Sequence, residues 1–176
     1  MEHDNRLMRR VARRDEAAFT QIVERYGGRL LAVAGRLLGS RADAEDAVQR
    51  AFLQCFRAAA SYDPRWALST WLYRILTNAC MDELRRRAAA ASRDATLAGS
   101  EAAPGRTRPG DHVDLHRALH RVPREARTLL ALRFVDGLSY QELARIRGIS
   151  VNTVKSQLAR GKALLRAGLG EHGGSR

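Results

Sequence analysis

The chain has 176 residues, with 31 Lys and Arg against 19 Asp and Glu and a net charge of +12. At 45 % apolar it has enough hydrophobic residues for a core and too many for a disordered chain. The apolar stretch Leu30–Gly35 falls far short of the roughly 20 residues of a membrane helix, so no direct membrane insertion is expected. The opening Met1-Glu-His-Asp-Asn-Arg6 has no apolar run behind its charges, which speaks against a secretory signal. Two cysteines exclude a disulfide framework and fit a reducing cytoplasm. Cys55 and Cys80 fall on apolar helix faces, where a small buried hydrophobe is the default. The excess of positive charge points to a polyanion, nucleic acid before a membrane surface.

The first 87 residues read as helices. Phe19, Ile22, Tyr26, Leu30, Val33 and Leu37 recur at the three-four spacing of an amphipathic helix. Ser40 with Asp43 resembles a capping box, and Ala44, Ala47, Ala51, Phe52, Cys55 and Ala59 share the face that follows. Tyr62-Asp63-Pro64 breaks that helix, because a residue before proline is pushed out of the helical region. A third helix runs from about Thr70 to Arg85-Arg86-Arg87, with Trp71, Leu72, Ile75, Leu76, Ala79 and Leu84 inward. The arginines at its end would complement the helix dipole.

Residues 88–113 hold eight Ala, three Gly, two Pro and no aromatic, with three Arg balancing three acids, and read as a flexible linker. Residues 114–176 are basic and helical again. Asp114 caps Leu115–Arg121, and Pro123 opens a helix that buries Leu129, Leu130, Leu132 and, in part, Phe134 before Asp136-Gly137. Ser139 and Glu142 form a capping box, Gly148 ends the short helix after it, and Ser150 caps the last one. The predicted fold is all-α: two small helical domains, 1–87 and 114–176, on a tether.

A short helix, the turn Gly148-Ile149-Ser150 and a longer helix make a helix-turn-helix. On the second helix Val151, Val154 and Leu158 face inward, and Asn152, Lys155, Ser156, Ala159 and Arg160 face out. That outward set is short, polar and basic, as suits a helix lying in the major groove.

Gly137-Leu-Ser-Tyr-Gln-Glu-Leu-Ala144 followed by Gly148-Ile-Ser-Val-Asn-Thr-Val-Lys-Ser156 resembles region 4 of bacterial sigma factors. Asp43-Ala-Glu-Asp-Ala-Val-Gln49 through Phe52 resembles their region 2.2, and Trp71-Leu-Tyr-Arg-Ile75 with Asn78, Asp82 and Arg85-Arg86 resembles regions 2.3 and 2.4. The order of these motifs resembles the extracytoplasmic-function (ECF) subfamily. The resemblance implies a promoter-recognition subunit that binds core RNA polymerase and promoter DNA, held in check by an anti-sigma factor. It implies no enzyme activity, catalytic residue or cofactor. By the same resemblance, Asp43, Asp46, Gln49 and Phe52 bind the polymerase clamp. Asn78, Asp82, Arg85 and Arg86 meet the −10 element. Tyr62, Trp66 and Leu68 lie in the loop that takes a flipped base, which needs an apolar or aromatic pocket to offset the unstacking cost. Lys155, Ser156, Ala159 and Arg160 match the −35 contacts, and Asn152 joins them as an expected DNA-binding residue by its place on the same outward face. Arg50 and Gln157 stand where the family often has Glu and Arg.

Geometry fits that reading independently. A fully extended tether of 26 residues (88–113) reaches about 90 Å, at 3.3–3.6 Å per residue. Two DNA elements 15–20 base pairs apart lie about 50–70 Å apart. A stand-alone helix-turn-helix regulator would explain the second domain and leave the Asp43–Phe52 and Trp71–Arg86 patterns without a reason. His112, His116 and His120 recur every fourth residue, a spacing that can ligate a metal and otherwise marks a polar surface.

Overall fold

The computed structural model of the chain describes residues 1–98, 118–119 and 121–170. Among these residues there are seven α-helices and no strand: α1 (Glu2–Ala12), α2 (Glu16–Leu38), α3 (Arg41–Arg57), α4 (Leu68–Ala98), α5 (Arg124–Asp136), α6 (Tyr140–Arg147) and α7 (Val151–Gly170). A short 3-10 helix, Ala59–Ser61, follows α3. The all-α expectation with a C-terminal helix-turn-helix holds. His112, His116 and His120 lie outside the described residues, as does most of the predicted 115–121 helix.

Helices α1 to α4 form the first lobe. The periodicity seen in the sequence is the core: Ile22, Tyr26, Leu30, Val33 and Leu37 of α2 face Ala44, Ala47, Ala51 and Cys55 of α3 and Leu72, Leu76 and Cys80 of α4. Both cysteines are unpaired and buried, and burial pushes both thiols up to about 12. Asp15 caps α2, accepting the Ala18 N–H at 3.0 Å, and Gly39 ends it with φ +69°.

Two differences from the sequence reading stand out. Helix α1 was hidden by its dense charge, yet Leu7, Met8 and Val11 bury against α2. Three apolar residues on an otherwise arginine-rich segment suffice because a neighbouring helix covers them. Helix α4 does not stop at Arg87; it runs through Ala88–Ala91 to Ala98, so the first part of the predicted 88–113 linker is helical. Alanine is the best helix former, and an alanine run next to a formed helix extends it. The arginines are therefore interior to α4, not at its dipole end. Instead, Arg87 crosses to α2 and donates to the Leu38 carbonyl at 3.1 Å, satisfying a helix-end acceptor.

Helices α5 to α7 form the second lobe around Leu129, Leu132, Leu143, Val154 and Leu158. Phe134, expected to be partly buried, is instead 63 % exposed. The two lobes touch. Asp136 of α5 approaches Arg29 of α2 at 3.7 Å, and the Thr128 hydroxyl lies 3.8 Å from the Met81 sulfur of α4.

Candidate nucleic-acid interface

The helix-turn-helix is built from local rules. Ser139 accepts the Glu142 N–H at 3.2 Å while Glu142 accepts the Ser139 N–H at 2.7 Å, closing the capping box. Gly148 takes φ +65°, a conformation that costs a side chain about 1–2 kcal/mol. Ser150 starts α7 by accepting the Thr153 N–H at 3.0 Å. Where α7 crosses α5, Gly161 lies so close that a Cβ would meet Leu130 at 3.0 Å and Ala126 at 3.1 Å. This scaffold fixes the outward face, and Asn152, Lys155, Ser156, Ala159 and Arg160 are all exposed on it. Lys155 and Arg160 make no ion pair among the described residues. Ser156 is partly engaged, its hydroxyl donating to the Thr153 carbonyl at 3.0 Å. Gln157 turns inward and is half-buried.

On α4, Asn78, Asp82 and Arg85 share one exposed face, spaced i, i+4 and i+7. Arg85 donates to Asp82 at 2.6 Å, so this face carries a ready-made ion pair. A cleft of ≈ 270 Å³ separates it from Arg147 of α6, which reaches Glu125 at 3.5 Å. Arg86 points elsewhere, to Glu83. The loop between the 3-10 helix and α4 is ordered by its own turn: Trp66 N–H donates to the Asp63 carbonyl at 3.0 Å, and Asp63 accepts the Arg65 N–H at 2.9 Å. Tyr62 packs on Trp71 with ring centroids 5.3 Å apart, and Arg74 lies over Trp66 at 6.0 Å. Leu68 is only 1 % exposed and belongs to the core, so the flipped-base expectation does not extend to its side chain in this conformation. It is the first residue of α4 and one of the members of the buried apolar cluster.

The α3 residues divide. Asp46 and Gln49 are exposed on one face. Beside them, Phe19, Val23, Leu31, Val48, Phe52 and Leu53 line a shallow apolar groove of ≈ 450 Å³ between α2 and α3. Phe52 is its floor rather than a free side chain, edge-on to Phe19 at 6.2 Å. Asp43 follows the cap of α3 and pairs with Arg87; its bond with Ser40 and the Arg87 charge hold its carboxyl below the usual range against the effect of burial.

Sequence reasoning missed Glu83, the centre of this lobe's electrostatics. Its side chain is buried and ion-paired with Arg50 at 3.3 Å, Arg87 at 3.2 Å and Arg86. Burial pushes the carboxyl upward, but hydrogen bonds from Arg50 and Arg87 and the charges of Arg86 and Arg87 outweigh it, so the group titrates below the ordinary glutamate range. The i+3 and i+4 spacing to Arg86 and Arg87 was a usable signal; the Arg50 partner on α3 was not.

Two helical lobes, the first with the polar Asn78–Asp82–Arg85 face and the second with a basic helix-turn-helix face, define a two-part promoter-binding protein. Family models bear this out: Sigma-70 region 2 matches residues 22–90 and Sigma-70, region 4 matches residues 112–165. The ECF RNA polymerase sigma factor SigW of Bacillus subtilis is 32 % identical over 90 % of this chain and 92 % of its own length. The ECF RNA polymerase sigma-E factor of Escherichia coli is 31 % identical over 90 % of each. Among solved structures, CnrH in complex with the cytosolic domain of CnrY superposes with a TM-score of 0.72 at 27 % identity, covering 94 % of this chain and 96 % of that one. The sigma factor RpoE with the anti-sigma factor NepR from Bartonella quintana gives 0.71 at 26 %, covering 86 % and 96 %. The chain belongs to the extracytoplasmic-function family of RNA polymerase sigma factors. It is a transcription initiation factor that joins core RNA polymerase and directs it to promoters through −10 and −35 recognition.

Proposed function

We propose that the exposed face of α7 reads the −35 element through Asn152, Lys155, Ser156, Ala159 and Arg160. The Asn78–Arg85 face of α4, with Arg86 and the Tyr62–Trp66 loop, then engages the −10 element. Residues 1–87 and 114–176 are the two functional units. Asp46 and Gln49, with the α2–α3 groove over Phe52, form the clamp-docking surface, while Asp43 serves it indirectly by fixing α3 against α4. The protein acts by binding, in the cytoplasm with the chromosome, and leaves RNA synthesis to the core enzyme. No helix among the described residues is long and apolar enough to cross a membrane. An anti-sigma factor controls the protein; what supports this is its likeness to the sigma factor RpoE solved with the anti-sigma factor NepR, and to CnrH solved with the cytosolic domain of CnrY.

The observation that carries the assignment is the separation of the basic α7 face and the polar α4 face from one apolar docking groove on a single helical frame. Asp46→Ala with Gln49→Ala tests it. Both side chains are exposed, so stability should change by no more than about 0.5 kcal/mol. Affinity for core RNA polymerase should fall in a pull-down titration. Unaltered affinity would move the docking surface off α3.

A further inference from the structure

Helix α1 lies before residue 22, where the region 2 match begins, yet it touches the loop assigned above to −10 base capture. The contact is specific. Asn5 Nδ2 donates to the Pro64 carbonyl at 3.2 Å, and the Tyr62 hydroxyl lies 2.9 Å from Asn5 Oδ1 and 2.7 Å from the Trp66 carbonyl. The one phenolic hydrogen is shared between these two acceptors, so Tyr62, Pro64 and Trp66 are drawn together around a single amide. Helix α1 is itself held firmly. Asp4 accepts from the Tyr26 hydroxyl at 2.9 Å and from Arg25 at 3.1 Å, and Leu7, Met8 and Val11 are buried. Asn5 is thus a rigid bracket for the loop, one residue beyond a buried anchor.

We propose that Asn5 is a positioning residue for −10 recognition: by bridging the Tyr62 hydroxyl and the Pro64 carbonyl it holds the Tyr62–Trp66 loop in the shape that receives an unstacked base. The physical reason is preorganisation. Extruding a base costs a few kcal/mol, and a loop that must also order itself on binding adds to that cost. A loop already tied at both ends does not. The Tyr62 phenol is pushed up to about 12, by burial first and then by the charges of Asp4 and Asp63, so its hydroxyl remains a donor across the physiological range.

The proposal rests on the base-capture reading of the loop, and the experiment separates the two. Holoenzyme assembled from the full chain and core RNA polymerase is used to select from single-stranded DNA randomised through the −10 interval. The unmodified chain should enrich one base at one position; if it enriches none, the base-capture reading fails and takes this proposal with it. Given that enrichment, Asn5→Ala should lower the preference by about fivefold, the worth of one neutral hydrogen bond. Core polymerase affinity should be unchanged, and so should selection from duplex −35 DNA by the same holoenzyme. Tyr62→Phe, which leaves α1 intact, should reproduce the loss and covers the case in which Asn5→Ala folds poorly. Retention of full base preference in either folded variant overturns the proposal.

Discussion

In the second lobe the outward cations Lys155 and Arg160 make no ion pair among the described residues, whereas in the first lobe Arg85 is bound to Asp82 and Arg86 to Glu83. The same division runs through the scaffolds. The second lobe relies on local devices, namely the Ser139 capping box, Gly137, Gly148 and Ser150, around a leucine-rich core that also buries Arg127 and Thr128, with Arg147–Glu125 as an inter-helix ion pair at its surface. The first lobe is tied together by charges that cross between helices: Glu83 to Arg50, Arg87 to Asp43 and to the α2 end, Asp4 to Tyr26. A lobe of the second kind presents its cations ready for phosphate and base. A lobe of the first kind must exchange internal partners for DNA, which makes its binding weaker per contact and flattens its dependence on salt, because an arginine still held by its carboxylate displaces no counterion from a phosphate.

The largest expected effect follows from Glu83. Glu83→Ala leaves Arg50, Arg86 and Arg87 clustered without their carboxylate. Because all three reach solvent in part, the loss should be about 2–3 kcal/mol, below the range for a fully buried pair. Chemical denaturation followed by hydrogen exchange should place that loss in α3 and α4 and leave α6 untouched. Since the folded carboxyl titrates below its ordinary value, its stabilisation is present above the unfolded value of about 4.3 and is lost as pH falls through the lower folded one. Glu83→Gln should therefore flatten the stability-against-pH curve in that acid window. An unchanged acid limb in the variant would show that other carboxylates carry it.

The next effect concerns reading rather than stability. A side chain donating to guanine discriminates by about 1–3 kcal/mol, while a phosphate contact weakens every sequence alike. Arg160→Ala should relax preference at one −35 position in a selection at fixed salt, with the melting temperature unmoved because the side chain is exposed and unpaired. Equal weakening across all sequences would make Arg160 a backbone clamp.

A smaller effect probes the local devices. Ser139→Ala removes both bonds of the capping hydroxyl at the start of α6, one to the Glu142 carboxylate and one from the Glu142 N–H, and about 1 kcal/mol should be lost. Hydrogen exchange should confine the loss to α6 and α7; spread into α4 would mean that the lobes stabilise each other through the buried cluster they share.

What was legible in the sequence follows the same line. The helix-turn-helix could be read residue by residue, because caps and glycines act within four positions of where they stand: Ser139, Glu142, Gly148 and Ser150 all do what their spacing implies. The amphipathic faces of α2 and α3 were readable for the same reason. Helix α1 was not, since its three buried residues are meaningful only once α2 covers them. Nor could Arg50 be recognised as an internal partner of Glu83, 33 residues away in the chain. Leu68 was assigned to the base-capture loop by resemblance, but it belongs to the buried core cluster, a tertiary property that motif matching does not weigh.

The smallest expected change sharpens the contrast most directly. Asp82 and Arg85 pair at 2.6 Å with each side chain 70 % exposed, so the pair adds at most about 0.5 kcal/mol to stability. Asp82→Asn should accordingly leave the melting temperature almost where it was. Its consequence should appear on DNA, because the substitution frees Arg85 and removes a negative charge from the α4 face. Neutralising one more phosphate on a single strand steepens the log affinity against log salt slope by about 0.7, so binding of single-stranded DNA by the holoenzyme should strengthen at low salt and converge with the parent at high salt. Lys155, lacking such a partner, offers no equivalent change in the second lobe. If Asp82→Asn leaves the salt slope as it was, Arg85 is not restrained by its pair, and the two lobes present their cations to DNA in the same way.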